Sequence, residues 1–184
     1  MKATEILTEE HRVIERALNS LEAGVDRLES GQLVRPEFFL SATDFMKGFA
    51  DACHHQKEEG ILFEHMKEQG MEYDGCPLGV MLAEHALGRQ YTRALRSAAL
   101  EMQAGDMSAK SRAIQSSRSY VNLLRRHIMK EDNILFPMAE RVIPADRHEE
   151  VWEGFERVEV EETGAGVHEK YEALAEALEK EIAG

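Results

Sequence analysis

Apolar residues return every three or four positions through most of this chain, in stretches rich in Ala, Leu, Glu, Lys and Arg. That period and that composition belong to amphipathic helices. The pattern stops at Gly31, Gly70 and Gly105, as expected of residues just past a helix end. Pro36 and Pro77 fit the first turn of a following helix, and Ser108 fits an N-cap. Helices are therefore expected over roughly 4–30, 36–69, 77–104 and 108–142, with Pro137 kinking or nearly ending the last. Short loops between long helices dictate antiparallel neighbours, so the expected fold class is all-α: an up-down-up-down four-helix bundle over residues 1–144. No stretch alternates with the period of a strand. Residues 145–184 read differently, as a short acidic helical extension. Trp152, Phe155 and Val158 form one apolar stripe; Tyr171, Leu174, Leu178 and Ile182 form another beyond Gly164 and Gly166. Two short helices are expected here, packed on the bundle or on a second copy of the chain as a homodimer, with no second domain needed.

Composition narrows the partners. The 184 residues suit one domain with a continuous core. The chain carries 35 acidic against 22 basic residues, a net charge of -13, which repels nucleic acid and anionic lipid alike. No apolar run approaches the roughly 20 residues that span a bilayer. The stretch from Met1 to His11 has no apolar segment of signal-peptide length, so a cytoplasmic location is expected. Cys53 and Cys76 are the only cysteines, and without a Cys-x-x-Cys they exclude a zinc ribbon or a thioredoxin motif. About 25 Å of helix separates Cys53 from Gly70, whereas a disulfide needs Cα atoms within about 7 Å, so no bridge between them is expected.

One segment occurs twice. His54-His-Gln-Lys-Glu58-Glu-Gly-Ile-Leu-Phe63 returns 73 residues later as His127-Ile-Met-Lys-Glu131-Asp-Asn-Ile-Leu-Phe136. A His and a Glu four apart on a helix share a face, so each copy offers a nitrogen and a carboxylate to one point. The loops joining helices one to two and three to four lie at one end of the expected bundle. Measured from them, His11 stands 20 residues before Gly31, His54 18 after Pro36, His85 20 before Gly105 and His127 19 after Ser108. At about 1.5 Å per residue all four lie at one level, roughly 30 Å along the bundle. Composition does not require that coincidence.

The candidate metal ligands are therefore His11, His54, Glu58, His85, His127 and Glu131. A lone His on an apolar stripe is more often a hydrogen-bonded core residue than a ligand. The repeat reverses those odds, because burying two carboxylates without a cation costs several kcal/mol each. Six such ligands are too many for tetrahedral zinc and too rich in nitrogen for calcium or magnesium. Imidazole with bridging carboxylate suits two iron ions, with manganese or zinc as substitutes. Glu59 and Asp132 compete with Glu58 and Glu131, but the four-residue spacing favours the latter. His55, about 100° around from His54, is expected outside the ligand set, as are His65, His148 and His168. Glu15, one turn after His11, is an extra ligand or an acceptor behind one.

These residues resemble the hemerythrin-like (HHE cation-binding) family over approximately residues 5–140. The likeness rests on Glu10-His11, His54-x-x-x-Glu58 with Leu62-Phe63, Glu84-His85, and His127-x-x-x-Glu131 with Leu135-Phe136-Pro137. The resemblance implies a four-helix bundle around a non-haem di-iron centre with oxo or hydroxo and carboxylate bridges, meeting dioxygen, nitric oxide or peroxide. There are two departures. Oxygen-carrying members have a second His four residues after the third-helix His, where this chain has Arg89; they also place an Asp five after the fourth-helix His, where Asp132 stands beside Glu131. With four imidazoles the resemblance points away from reversible oxygen carriage. Ferritin-like Glu-x-x-His pairs are absent.

Around the centre, Tyr120 is read as an interior residue tied to a carbonyl or facing an iron ligand, and Arg89 as paired with Glu84 or another acid, or poised to attract an anion. Met46, Met66, Met81, Met129 and Met138 are expected to fill core gaps. Cys53 reads as a buried thiol or an oxidation sensor, and Cys76 as a thiol at a helix start. Three functions fit: a sensor or store for a small diatomic gas or peroxide; an oxidoreductase turning over peroxide or nitric oxide; an iron-handling or structural bundle. No flavin, substrate-pocket or electron-donor motif is visible, which favours the first.

Overall fold

The computed structural model describes residues 3–72, 77–164 and 166–184, and every regular element among them is helical. The first helix is Ala3–Glu29 and the third is Pro77–Gln103. The second and fourth, 36–68 and 110–142, are long rods in which α-helix alternates with wider π turns. The fifth opens as His148–Arg157 and runs on as a π segment to Gly164; the sixth is Val167–Ala183. The first helix lies against the second, fourth and sixth, and the third lies against the second and fourth. No helix among the described residues is long and apolar enough to cross a membrane.

The predicted boundaries hold to within a residue or two, and the punctuation explains why. Gly31, Gly70 and Gly105 take the left-handed conformation, at φ 84°, 90° and 96°, that an L side chain resists just past a helix end. Pro36 occupies the first turn of the second helix. The cap before the fourth rod is Asp106 rather than Ser108: its carboxylate accepts from the Ser108 N–H at 3.0 Å. Pro137 does not end that rod. It follows the π segment Glu131–Leu135, in which Phe136 N–H reaches back to the Glu131 carbonyl, and a helix resumes from Phe136 to Val142. The register shift puts the missing proline N–H at the opening of a helical segment, where it does least harm.

Two hydrophobic clusters form the core. One joins Ile14, Leu18, Phe38, Phe49, Leu95 and Leu124 with Ala175 and Leu178 of the sixth helix. The other joins Leu7, Leu62, Phe63, Met81, Leu135 and Phe136 with Val151 and Phe155 of the fifth. Between them lies a layer of buried histidines and acids. The last two helices thus pack on the first four. Trp152, expected on the inner stripe, is 41% exposed, because the fifth helix turns Val151 inward instead. Met129 faces solvent as well, whereas Met46, Met66 and Met81 fill the core as expected.

The docking of the sixth helix is tight at one point: a Cβ built on Gly48 would stand 1.7 Å from the Tyr171 hydroxyl. Gly48→Leu is expected to expel Tyr171 and lower stability by about 1–3 kcal/mol. Chemical denaturation and limited proteolysis within 167–183 measure both effects; an unchanged midpoint would mean that the sixth helix contributes nothing there.

Candidate metal centre

In both copies of the repeated segment the acidic residue opens a π segment, Glu58–Leu62 in one and Glu131–Leu135 in the other. π turns inside α-helices concentrate at functional sites. Here they carry Glu58 and Glu131 to the middle of the polar layer, where both are wholly buried. Imidazole Nε2 atoms surround them. His54 stands 3.6 Å and His85 3.4 Å from Glu58, while His11 stands 3.3 Å and His127 3.0 Å from Glu131. The Nε2 atoms of His85 and His127 are 2.9 Å apart. Yet neither oxygen of either carboxylate, nor His11 Nε2, has a partner with hydrogen-bond geometry. Buried carboxylates left so cost several kcal/mol each unless a cation meets them.

Two groups of donor atoms each converge within 4.8 Å: His11, His54, Glu58 and Glu131, and beside them His55, Glu58, His85 and His127. All six sequence-derived candidates are brought together. The structure adds His55, which sequence reasoning set aside. It is 4% exposed, stacks on His85 at 3.8 Å and leaves both ring nitrogens unpartnered. The reason is local. Met46–His55 is itself a π segment, so His54 and His55 are separated by less than the roughly 100° of an α-helix, and the two flank Glu58. The available signal was its three-residue spacing to Glu58. The second copy has Ile128 at the corresponding position, so the doubled motif is unequal: one group holds three imidazoles and the other two.

Behind the centre the histidines are held by a closed ring of acids. His54 Nδ1 donates to Glu10 of the first helix at 2.9 Å, and His85 Nδ1 to Glu59 of the second at 2.6 Å. His127 Nδ1 donates to Glu84 of the third at 2.9 Å, and His11 Nδ1 to Asp132 of the fourth at 2.7 Å. Each helix therefore clamps the imidazole of its neighbour, one to two, two to three, three to four and four to one. Each acid is in turn gripped by a cation: Lys57 on Glu10, Arg89 on Glu59, Lys130 on Glu84, Arg12 on Asp132. Acids behind imidazoles fix the tautomer so that Nε2 is free to bind, and they raise its basicity. Glu59 and Asp132 thus bond to histidines and lie outside both donor groups.

The donor set is that of a cation site, and the comparisons agree. The hemerythrin HHE cation binding domain model matches residues 2–139. The chain belongs to this hemerythrin family. Uncharacterised proteins of Mycobacterium bovis and Mycobacterium tuberculosis are each 26% identical over 181 residues, covering 98% of this chain and 70% of theirs. No solved structure gives a significant match.

Other candidates fall outside the hemerythrin centre. Glu15 pairs with Arg12 at 2.6 Å, away from the donors. Arg89 pairs with Asp51 at 2.7 Å and Glu59 at 2.8 Å. His65 donates to the Ile61 carbonyl, and His168 packs edge-on against Phe49. Cys53 is buried, and that burial pushes its thiol up to about 12, which suits an inert thiol rather than a sensor. Cys76 lies outside the described residues.

Protonation follows from the packing. Burial, and then the adjacent Glu131, push Glu58 well above the carboxylate range, so it holds a proton. At Glu131 burial is outweighed by the positive charge of His127 and the imidazoles of His11 and His85, and it stays ionised. Burial is also outweighed at His127, pushed up to about 9 by Glu131 and Glu84, and at His11, raised by Asp132 and Glu131. Burial drives His54 down to about 4, leaving it neutral. A cation must displace the protons on Glu58, His11 and His127. Zinc(II) titrated into metal-stripped protein at about pH 7 is therefore expected to release protons and to bind more weakly as pH falls from about 8 to about 6. Calorimetry in buffers of different ionisation enthalpy measures this; buffer-independent heats with a flat pH profile would refute the assignment.

Proposed function

We propose that the chain is a non-haem di-iron protein that takes up dioxygen, nitric oxide or peroxide as a sensor or store. In this reading residues 1–144 form an up-down-up-down metal-binding bundle and residues 145–184 an extension strapped over it. His11 and His54 would hold one iron and His55, His85 and His127 the other, with Glu58 and Glu131 supplying the carboxylates. The observation that carries it is the pair of buried, unpartnered carboxylates between two converging imidazole groups. Family membership supports a cation there. Imidazole with carboxylate favours iron over calcium or magnesium.

Iron would supply an open coordination position and electrons for a small oxidising ligand. The chain's own part is to place the donors and exclude competing ligands. The ring of acids orients each imidazole, and the two flanking apolar clusters keep bulk water from the layer. The fifth imidazole, His55, removes the argument against oxygen uptake that a four-imidazole count supplied.

Purified protein is expected to carry two irons per chain by elemental analysis. His54→Ala with His127→Ala should lose most of that iron while keeping its helical circular dichroism. His55→Ala should weaken one of the two ions by about 10- to 100-fold or more and spare the other. Full iron retention in the double variant would sink the site assignment. Anaerobic mixing of the reduced protein with dioxygen, nitric oxide or peroxide should give a persistent coloured adduct with at least one of them; continuous consumption without an adduct would instead indicate turnover.

A further inference from the structure

A cavity of about 320 Å³ opens between the second, third and fourth helices and reaches inward to His55. Its volume lies at the small end of the range for small-molecule sites. The inner wall is Met46, Tyr120, Gly88 and the edge of His55, all buried. The edge of the His55 ring closes the bottom of this largely apolar wall; its Nδ1 stands 3.5 Å from Asp51, and neither ring nitrogen makes a hydrogen bond. At the mouth the character changes to exposed charge: Lys47, Arg93 and Arg96, with Asp44. Arg96 is engaged by Asp44 at 2.5 Å, and Arg89, deeper in, by Asp51 at 2.7 Å. Lys47 and Arg93 make no ion pair among the described residues, so the mouth keeps two uncommitted positive charges on a chain of net charge -13.

Gly88 points the same way. It sits in the middle of the third helix, where glycine weakens a helix relative to alanine. Packing does not demand it: a Cβ there would meet Leu124 and Tyr120 at 3.7 Å, ordinary contact distance. What glycine preserves at that position is the width of the cavity.

We propose that this cavity binds a small monocarboxylate with an apolar body, the carboxylate at Lys47 and Arg93 and the body against Met46, Gly88 and Tyr120 with its far end at His55. A single charge fits better than a dianion, because Asp44 and Asp51 line the same cavity and repel a second. Binding rests on the cavity alone. Its meaning, a substrate or effector seated beside the three-imidazole position, rests on the metal-centre reading above.

The probe is hexanoate, titrated calorimetrically into the protein as purified, with acetate, inorganic phosphate and hexylamine as comparisons. Hexanoate is expected to bind at millimolar concentrations or below, and all three comparisons at least several-fold more weakly. Lys47→Glu with Arg93→Glu, both exposed, should weaken hexanoate by about three- to tenfold or more. Gly88→Leu should abolish the heat while leaving the circular dichroism spectrum unchanged. The proposal is overturned by absence of hexanoate binding, by acetate or phosphate binding as tightly, or by the mouth variant binding unchanged. The same titration on His54→Ala with His127→Ala separates the two readings: iron content reports on the centre and hexanoate heat on the cavity.

Discussion

Two carboxylates with nothing to bond to, set side by side in the middle of a hydrophobic bundle, are the constraint around which this molecule is arranged. Water cannot reach Glu58 or Glu131, and no donor is aligned on either. Burial first, and then repulsion between the pair, keeps a proton on Glu58. The remainder of the layer answers this difficulty. Imidazoles from all four long helices crowd the pair, and the apolar core is split into two clusters to make room for them.

The ring of acids behind those imidazoles does a second job. An imidazole on a long rod is positioned only as well as the rod itself, and bundle helices can slide or rotate against one another. Because each rod's acid grips the next rod's histidine, an axial slip of any one helix would break two hydrogen bonds at once. The bonded histidines first, and then Lys57, Arg89, Lys130 and Arg12, hold those acids below the ordinary carboxylate range against burial, and so keep them charged and good acceptors. Lys57 extends the linkage to the fifth helix through Glu159, so the extension is tied to His54 by an unbroken run of polar contacts.

Much of this is legible in the amino-acid sequence. Glycines past helix ends and prolines at helix starts marked the four long elements, because those residues report backbone conformation directly. The shared level of His11, His54, His85 and His127, together with the repeat, brought six side chains to one place. What escaped did so for physical reasons. An α-helical angle sets His55 apart from His54, whereas the backbone there widens into a π turn that nothing in the residue types announces. Spacing ranks Glu58 and Glu131 ahead of Glu59 and Asp132, but the bonds of the latter pair to histidines of neighbouring helices depend on inter-helix geometry that one-dimensional spacing does not contain. Trp152 and Met129 were turned inward by apolar character alone, while neighbours at slightly different angles filled the available space.

Of the four positions at which the two copies of the segment differ, only His55 against Ile128 is buried in both. A perfectly duplicated pair of seats would fill at random and give up its occupants at random. With three nitrogens and one carboxylate on one side and two nitrogens and two carboxylates on the other, the two donor groups differ in kind, so a scarce cation would favour one of them and a half-loaded protein would be enriched in one species.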